Sequence, residues 1–410
     1  MIKRNISLIV TNQFLTALSD SIFSLAIMWY VYEITKSALS ASLIMVIISL
    51  TGIIVGPFIG VLVDRREPKT SMQIGYACMI LVGIILAIVY FYFVDILIVV
   101  IYLSLVVHHI CMMFISPAKN KLLPRIVGVS KIVKVNGYIY STSQTADLIG
   151  QAISGVLIGI IGFVGVMLFH SGVYLLASIL LIFVINVSLV KDKIQTEEES
   201  TVTPKTSMLA ELKAGMLILK QNRPIFKLVF LATALNATTI AGALFVVLVS
   251  DHYGASAVQF GLINAVAAVS GIIIGLVANK LTNFAKPYLV MAITLGISGV
   301  AFLSMGLTSN FYFGTLFFMM MTASIIIFSI IDNTLMIVLV KDEFRGRVFM
   351  LKVAIASLLI PIFSLAGGLI ADSIPVNYLF IFGGCWVLIC SLFPLFDRDI
   401  RAIERLPREE

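Results

Sequence analysis

The chain is predicted to be an all-α polytopic membrane protein with twelve spanning helices, and three observations predict it. Hydrophobic residues make up 60% and charged residues 12% of its 410 residues, against the roughly 25% charge of a soluble domain. With a mean hydropathy of +1.09, it has too little polar surface to cover a globule in water. The apolar residues run continuously, as in 41–63, 80–93 and 178–190, rather than alternating in the roughly ten-residue segments of a membrane β-barrel. In hydrocarbon every backbone N–H and C=O needs an internal partner, so such runs are helices. Finally, all of the 28 Lys and Arg residues except Lys36 fall in one alternating set of connections. That asymmetry is expected of basic loops retained on the cytoplasmic side, and it places both chain ends there.

At roughly 20 apolar residues per span, the first helix is expected at 7–32. It follows Met1-Ile2-Lys3-Arg4, but the run is too long for a signal peptide, contains Asp20 and lacks a small-residue cleavage site. The second is expected at 38–63, the third at 70–93, the fourth at 96–117, the fifth at 132–161 and the sixth at 164–190. The seventh follows at 225–250, the eighth at 257–278, the ninth at 287–307, the tenth at 311–339, the eleventh at 348–371 and the twelfth at 376–396.

Between the sixth and seventh spans the composition turns polar. Residues 191–223 hold Glu197-Glu198-Glu199 and Thr201-Val202-Thr203-Pro204, and read as a cytoplasmic linker. It divides a six-helix bundle at 1–190 from a second at 224–396, with 397–410 a cytoplasmic tail. Within the linker, 207–220 set apolar residues at helical spacing behind Ser207 as N-cap, the pattern of an amphipathic helix lying on the membrane face. The halves also resemble parallel repeats. Gly56 and Gly60 match Gly271 and Gly275, and the same offset carries Asp64 to Asn279 and Arg65 to Lys280. Two facing, pseudo-symmetric bundles with a substrate path near the midplane follow from that arrangement.

The most informative spacing is Gly60-x-x-x-Asp64-Arg65-x-x-x-Lys69, between the second and third spans. Gly60 permits close approach of a neighbouring helix, and Asp64 can sit against a helix N-terminus. Arg65 and Lys69 can pair across the loop. Such contacts would hold in one conformational state and break in another; the plainer reading is that the charges only mark topology. The loop resembles the signature of the major facilitator superfamily. Ser116-Pro117-Ala118-x-Asn120, Lys220-Gln221-Asn222-Arg223-x-Ile225-Phe226 and Gly346-Arg347-Val348-Phe349 are similar to its drug-efflux branch, typified by macrolide-efflux proteins and the enterobactin exporter. The resemblance implies alternating access, with Gly346 and Arg347 facing the Asp64 loop. Two positions depart from the branch. His108 stands where many drug antiporters carry an Arg implicated in proton coupling, and Gly150-Gln151 stands where the antiporter motif has Gly-Pro.

Ionisable groups inside spans are costly and are functional by default. Asp20 lies mid-span among Ser19, Ser21 and Ser24; Asp147 shares a polar strip with Asn136, Thr142, Ser143, Gln144 and Gln151. These carboxylates, with His108, Gln144 and the polar Asn236 of the seventh span, are the candidates for proton coupling or substrate binding, the alternative being an interhelical hydrogen-bond network. Asp332, beside Asn333 and Thr334, is a candidate gate or cap. Trp29, Tyr30, Phe245, Met319, Met320, Met321 and Trp386 would suit an adaptable apolar pocket, although helical spacing equally fits packing.

Other classes find no support. The basic residues form no face interleaved with aromatics, so no nucleic-acid partner is expected. Cys78, Cys111, Cys385 and Cys390 lie in apolar runs without metal-type spacing and read as buried, inert thiols. Gly-x-Ser-x-Gly, His-Glu-x-x-His and Walker patterns do not occur in the sequence, so no enzyme and no cofactor are expected. His108 and His109 diverge by about 100° on a helix and cannot share one metal. The expectation is a monomeric, multi-pass plasma-membrane protein, with the bilayer, a small-molecule substrate and the proton as partners. Its predicted activity is secondary active transport, as proton-coupled efflux of an amphipathic small molecule such as a drug, macrolide or siderophore-like compound. The alternative is uptake or uniport of a nutrient or lipid by the same fold.

Overall fold

Continuous apolar sequence leaves the backbone no partner but itself, and among the described residues every regular element is helical. The computed structural model describes residues 2–64, 66–127, 132–184, 222–282, 285–340 and 342–403. The helices are α1 (Ile2–Thr35), α2 (Ala38–Asp64), α3 (Pro68–Tyr92) and α4 (Leu97–Val127). The segment Ile132–Ile182 is divided at Gly162, whose φ of 65° and ψ of −175° are open to glycine and strained for a side chain. It therefore gives α5 (132–161) and α6 (163–182). Then come α7 (Arg223–Leu235), α8 (Ala257–Thr282), α9 (Pro287–Leu307), α10 (Phe311–Leu339), α11 (Asp342–Ala371) and α12 (Asn377–Phe396). Among the described residues, eleven helical stretches are long and apolar enough to cross a membrane; since Gly162 divides one of them, they supply the twelve predicted spans.

Two elements differ from expectation. The fourth span was expected to stop at Pro117, yet α4 continues through Pro117 and Pro124 to Val127. Membrane-spanning helices accept internal proline where neighbouring groups satisfy the freed carbonyls. The seventh span is not one helix. Beyond Leu235 it passes through a 3₁₀ turn (Asn236–Thr238), short helical pieces (Thr239–Gly242 and Phe245–Val247) and a π turn (Leu248–His252). Its own hydroxyls explain the break: Thr238 Oγ1 donates to Leu235 O and Thr239 Oγ1 to Asn236 O, both at 2.7 Å. Such side chains offer the backbone an alternative to the helical ladder. Irregular backbone at membrane depth is tolerated where it is buried in protein or lines a cavity.

Contacts divide the chain into two units. The first comprises Met1–Ile34, Ile47–Thr203 and Ala257–Ala265. Its core joins Tyr76 and Met79 of α3, Ile115 and Leu122 of α4, and Tyr174 of α6. Here α5 and the start of α8 meet backbone to backbone. A Cβ built on Gly155 would lie 2.3 Å from Ala257 O and 2.7 Å from Gly261 Cα, a closeness only two glycines permit. The second unit comprises Thr35–Val46, Pro204–Ser256 and Val266–Glu410. In it α9 packs on α12, with the Phe302 and Phe380 rings edge to face at 5.2 Å. The end of α11 caps the start of α2, because Asp372 Oδ1 accepts the Ala38 and Leu39 N–H groups at 2.8 and 3.4 Å.

Loop charges act mainly as caps. Glu67 Oε2 accepts the Thr70 N–H at 2.7 Å at the start of α3. Partial burial works to raise its carboxyl, but the Thr70 amide and hydroxyl overcome this and hold it below the usual range. Asp397 accepts the Asp399 and Ile400 N–H groups, and Lys227 Nζ lies 2.6 Å from both Asp397 and Asp399. There too burial pushes up while the Lys227 ammonium pulls the Asp397 carboxyl down, and the net shift is downward. The linker helix expected at 207–220 lies outside the described residues, as do 404–410 of the tail. All four cysteines are free; Cys111 and Cys390 are buried as expected, whereas Cys385 is exposed on α12.

Candidate functional site

Each unit holds buried polar groups inside its spans. In the first, Asp20 of α1 is the hub. Its Oδ1 accepts the Tyr174 hydroxyl at 2.7 Å and lies 3.3 Å from His108 Nε2 of α4. Behind them, the fully buried His170 of α6 has Nδ1 at 2.9 Å from Ser19 Oγ. Phe23, one turn along α1 from Asp20, stacks on both imidazoles, with centroids at 4.8 and 4.5 Å. One imidazole and one phenol thus meet on the Asp20 carboxylate, with a second imidazole stacked behind them, from three helices.

Two polar contacts extend this network to α5. Ser21 Oγ donates to Asp147 O at 3.0 Å, and Gln151 Nε2 donates to Asp147 Oδ2 at 3.1 Å. Asp147 is therefore adjacent to the Asp20 strand of contacts through the backbone, with its carboxylate held by its own helix. Nearer the α4 terminus, Lys119 Nζ donates to Gln13 Oε1 at 2.5 Å and Gln13 Nε2 to Ser143 Oγ at 3.2 Å. The polar strip predicted on α5 is thus partly engaged, at Ser143, Asp147 and Gln151, whereas Asn136 and Gln144 are exposed.

The second unit holds a cavity of about 530 Å³ whose wall includes Asn236, Phe245, Phe318, Met321, Phe328 and Asp332. The broken seventh span supplies one side of it, and Asn236 Nδ2 there donates to Ala356 O at 3.1 Å. Phe245 and Phe318 stack at 4.3 Å. Asp332 of α10 is paired with Lys352 of α11 through Oδ2, while its buried Oδ1 has no hydrogen-bond partner among the described residues. Lys352 was counted with the basic loop before the eleventh span. It is instead buried within α11, because the Asp332 carboxylate supplies the counter-charge that burial requires.

A family model described as Major Facilitator Superfamily matches residues 9–359. The chain belongs to the major facilitator superfamily. Macrolide efflux protein A of Streptococcus pyogenes is 26% identical over 396 residues, covering 96% of this chain and 95% of that protein. An uncharacterised MFS-type transporter of Bacillus subtilis (strain 168) is 24% identical over 417 residues, covering 98% and 95%. Among solved structures, a bacterial homologue of the iron transporter ferroportin superposes with a TM-score of 0.73 at 17% identity, covering 96% of this chain and 98% of that one. The nucleoside transporter NupG (D323A mutant) gives 0.73 at 10%, covering 97% and 100%. The chain is thus a multi-pass membrane transporter of the superfamily, with efflux proteins among its relatives.

In this facilitator the signature loop is only partly described. Arg65 lies outside the described residues, as do the surroundings of Gly60 and Gly346 and the side chains of Asp64 and Arg347. Lys69 donates to Ile182 O and Val184 O at 2.9 and 3.0 Å, which ties α3 to the end of α6. Sequence reasoning found Asp20 and His108 but not their contact, since no spacing relates α1 to α4. It overlooked His170, although a histidine in an otherwise apolar run was a readable signal. It also compared His108 only with its neighbour His109, while the second imidazole near Asp20 comes from α6.

Proposed function

We propose that this facilitator is an alternating-access secondary transporter that exports an amphipathic small molecule in exchange for protons. The observation that carries the reading is the cavity of about 530 Å³ in the second unit, within the size range of small-molecule sites. Its wall is largely aromatic and aliphatic, with Asn236, Asp332 and the hydroxyls of Thr238, Thr239, Ser298 and Ser329 as polar points, which suits an amphipathic ligand. Likeness to macrolide efflux protein A over nearly the full length supports export and a macrolide-like or drug-like substrate. Asp20, with His108 and Tyr174 around it, and Asp147 on α5 are the groups to carry proton coupling. The bundles at 1–190 and 224–396 would alternate about the signature loop. The protein would act as a monomer in the plasma membrane with both ends cytoplasmic, as the basic loops support.

The test is efflux of a labelled macrolide into inverted vesicles, with external pH recorded. Asp20→Asn and Asp147→Asn together should abolish substrate-driven proton movement. Undiminished coupling in that double variant would refute the assignment. Counterflow of a nutrient or lipid without any proton gradient would replace export by uptake or uniport.

A further inference from the structure

Around Asp20 the chemistry exceeds what a proton site needs. One ring nitrogen from each of His108 and His170 and one Asp20 carboxylate oxygen lie within 4.8 Å of one another. We propose that these three side chains form a binding site for a divalent first-row transition-metal ion of the Zn²⁺ or Co²⁺ class. The inference concerns binding to the purified protein and stands whether or not the transport reading holds.

Two imidazoles and one carboxylate are a donor set suited to zinc, iron or nickel, whereas Mg²⁺ and Ca²⁺ favour all-oxygen shells. Tetrahedral Zn²⁺ with N and O ligands at about 2.0–2.1 Å needs donor spacings of about 3.3 Å. His108 Nε2 and Asp20 Oδ1 already stand 3.3 Å apart, so His170 is the ligand that has room to draw in. Its ring is buried, and Nε2 has no hydrogen-bond partner among the described residues. In the tautomer whose Nδ1–H donates to Ser19 Oγ, Nε2 keeps a bare lone pair, the form a metal-ligating histidine uses. Ser19 on His170 and Tyr174 on Asp20 Oδ1 are the outer partners that orient such ligands. The side chains of His108 and Asp20 are 12% and 16% exposed, so the cluster is less enclosed on their side than at His170. Three protein ligands leave a fourth position for water or another ligand.

The test uses full-length protein purified without a polyhistidine tag and titrated with Co²⁺. Visible absorption reports the coordination, and equilibrium dialysis with Zn²⁺ reports the stoichiometry. One ion per chain is expected, with tetrahedral-type absorption. His108→Gln and His170→Gln should each weaken binding by at least about tenfold. His108 is less buried than His170, so its variant decides the matter if the His170 variant fails to fold. No saturable binding below about 1 mM would overturn the proposal. Binding left unchanged by His108→Gln would place the ion elsewhere and overturn it equally.

Discussion

Removing the ammonium of Lys352 should cost far more than removing the whole ion pair to which it belongs. The side chains of Lys352 and Asp332 are 10% and 8% exposed, so both charges have given up most of their hydration. Lys352→Met keeps a long apolar stem but strands the Asp332 carboxylate, whose Oδ1 already has no hydrogen-bond partner among the described residues. Breaking a buried pair from one side costs about 3–5 kcal/mol, whereas replacing both members is often neutral or stabilising. At about 2–4 °C per kcal/mol for a unit of this size, Lys352→Met should lower the unfolding midpoint by about 6–20 °C. The double variant Lys352→Met/Asp332→Asn should recover most of that loss. Far-UV circular dichroism melts of purified protein in one detergent would measure both. If the single variant were as stable as the parent, or the double no better than the single, the pair would not be a desolvated unit and the reasoning would fail.

Four further outcomes can be checked on the same preparation. Tyr174→Phe removes the hydroxyl that donates to Asp20 at 2.7 Å and should cost about 1.5–3 kcal/mol, the worth of a hydrogen bond to a charged group; an unchanged melt would contradict this. Asp372→Ala uncaps α2 and should cost about 0.5–2 kcal/mol, read as a lower midpoint, with Asp372→Asn milder. Gly155→Ala drives a methyl into Ala257 O and Gly261 Cα, backbone atoms that cannot rotate away, and should destabilise by about 1–3 kcal/mol. The Asp397 carboxyl lies below its ordinary value in the folded protein, with Lys227 as the opposing cation. Its contribution is therefore complete above about pH 4 and lost as pH falls further. Lys227→Met should flatten that acid limb of the stability profile.

Legibility followed the range of the interactions. The ninth and tenth spans, at Pro287–Leu307 and Phe311–Leu339, fall where the sequence placed them, because Pro287 and Asn310 mark helix starts locally. The seventh did not, since hydroxyls of Thr238 and Thr239 reach back to carbonyls within the apolar run, and hydropathy is blind to that competition. Asp20 and His108 were each visible as costly residues. Their contact was not, because it depends on how α1, α4 and α6 pack. Lys352 was misplaced for the opposite reason: its neighbours Arg345 and Arg347 made it look like part of a loop, while its partner Asp332 lies on another helix. Asp372 drew no attention because its role is to cap a helix far away in the chain.

The meeting of Gly155 with Gly261 has a mechanical consequence. Most helix pairs interlock through side chains, so shifting one along the other means lifting each knob out of its hole. Two bare backbones present no such teeth. At that point α5 and the start of α8 form a smooth bearing, on which a small slide or roll meets no rotamer barrier and leaves no void behind. The helices are positioned there by closeness alone, and their register must be set by the bulkier contacts on either side.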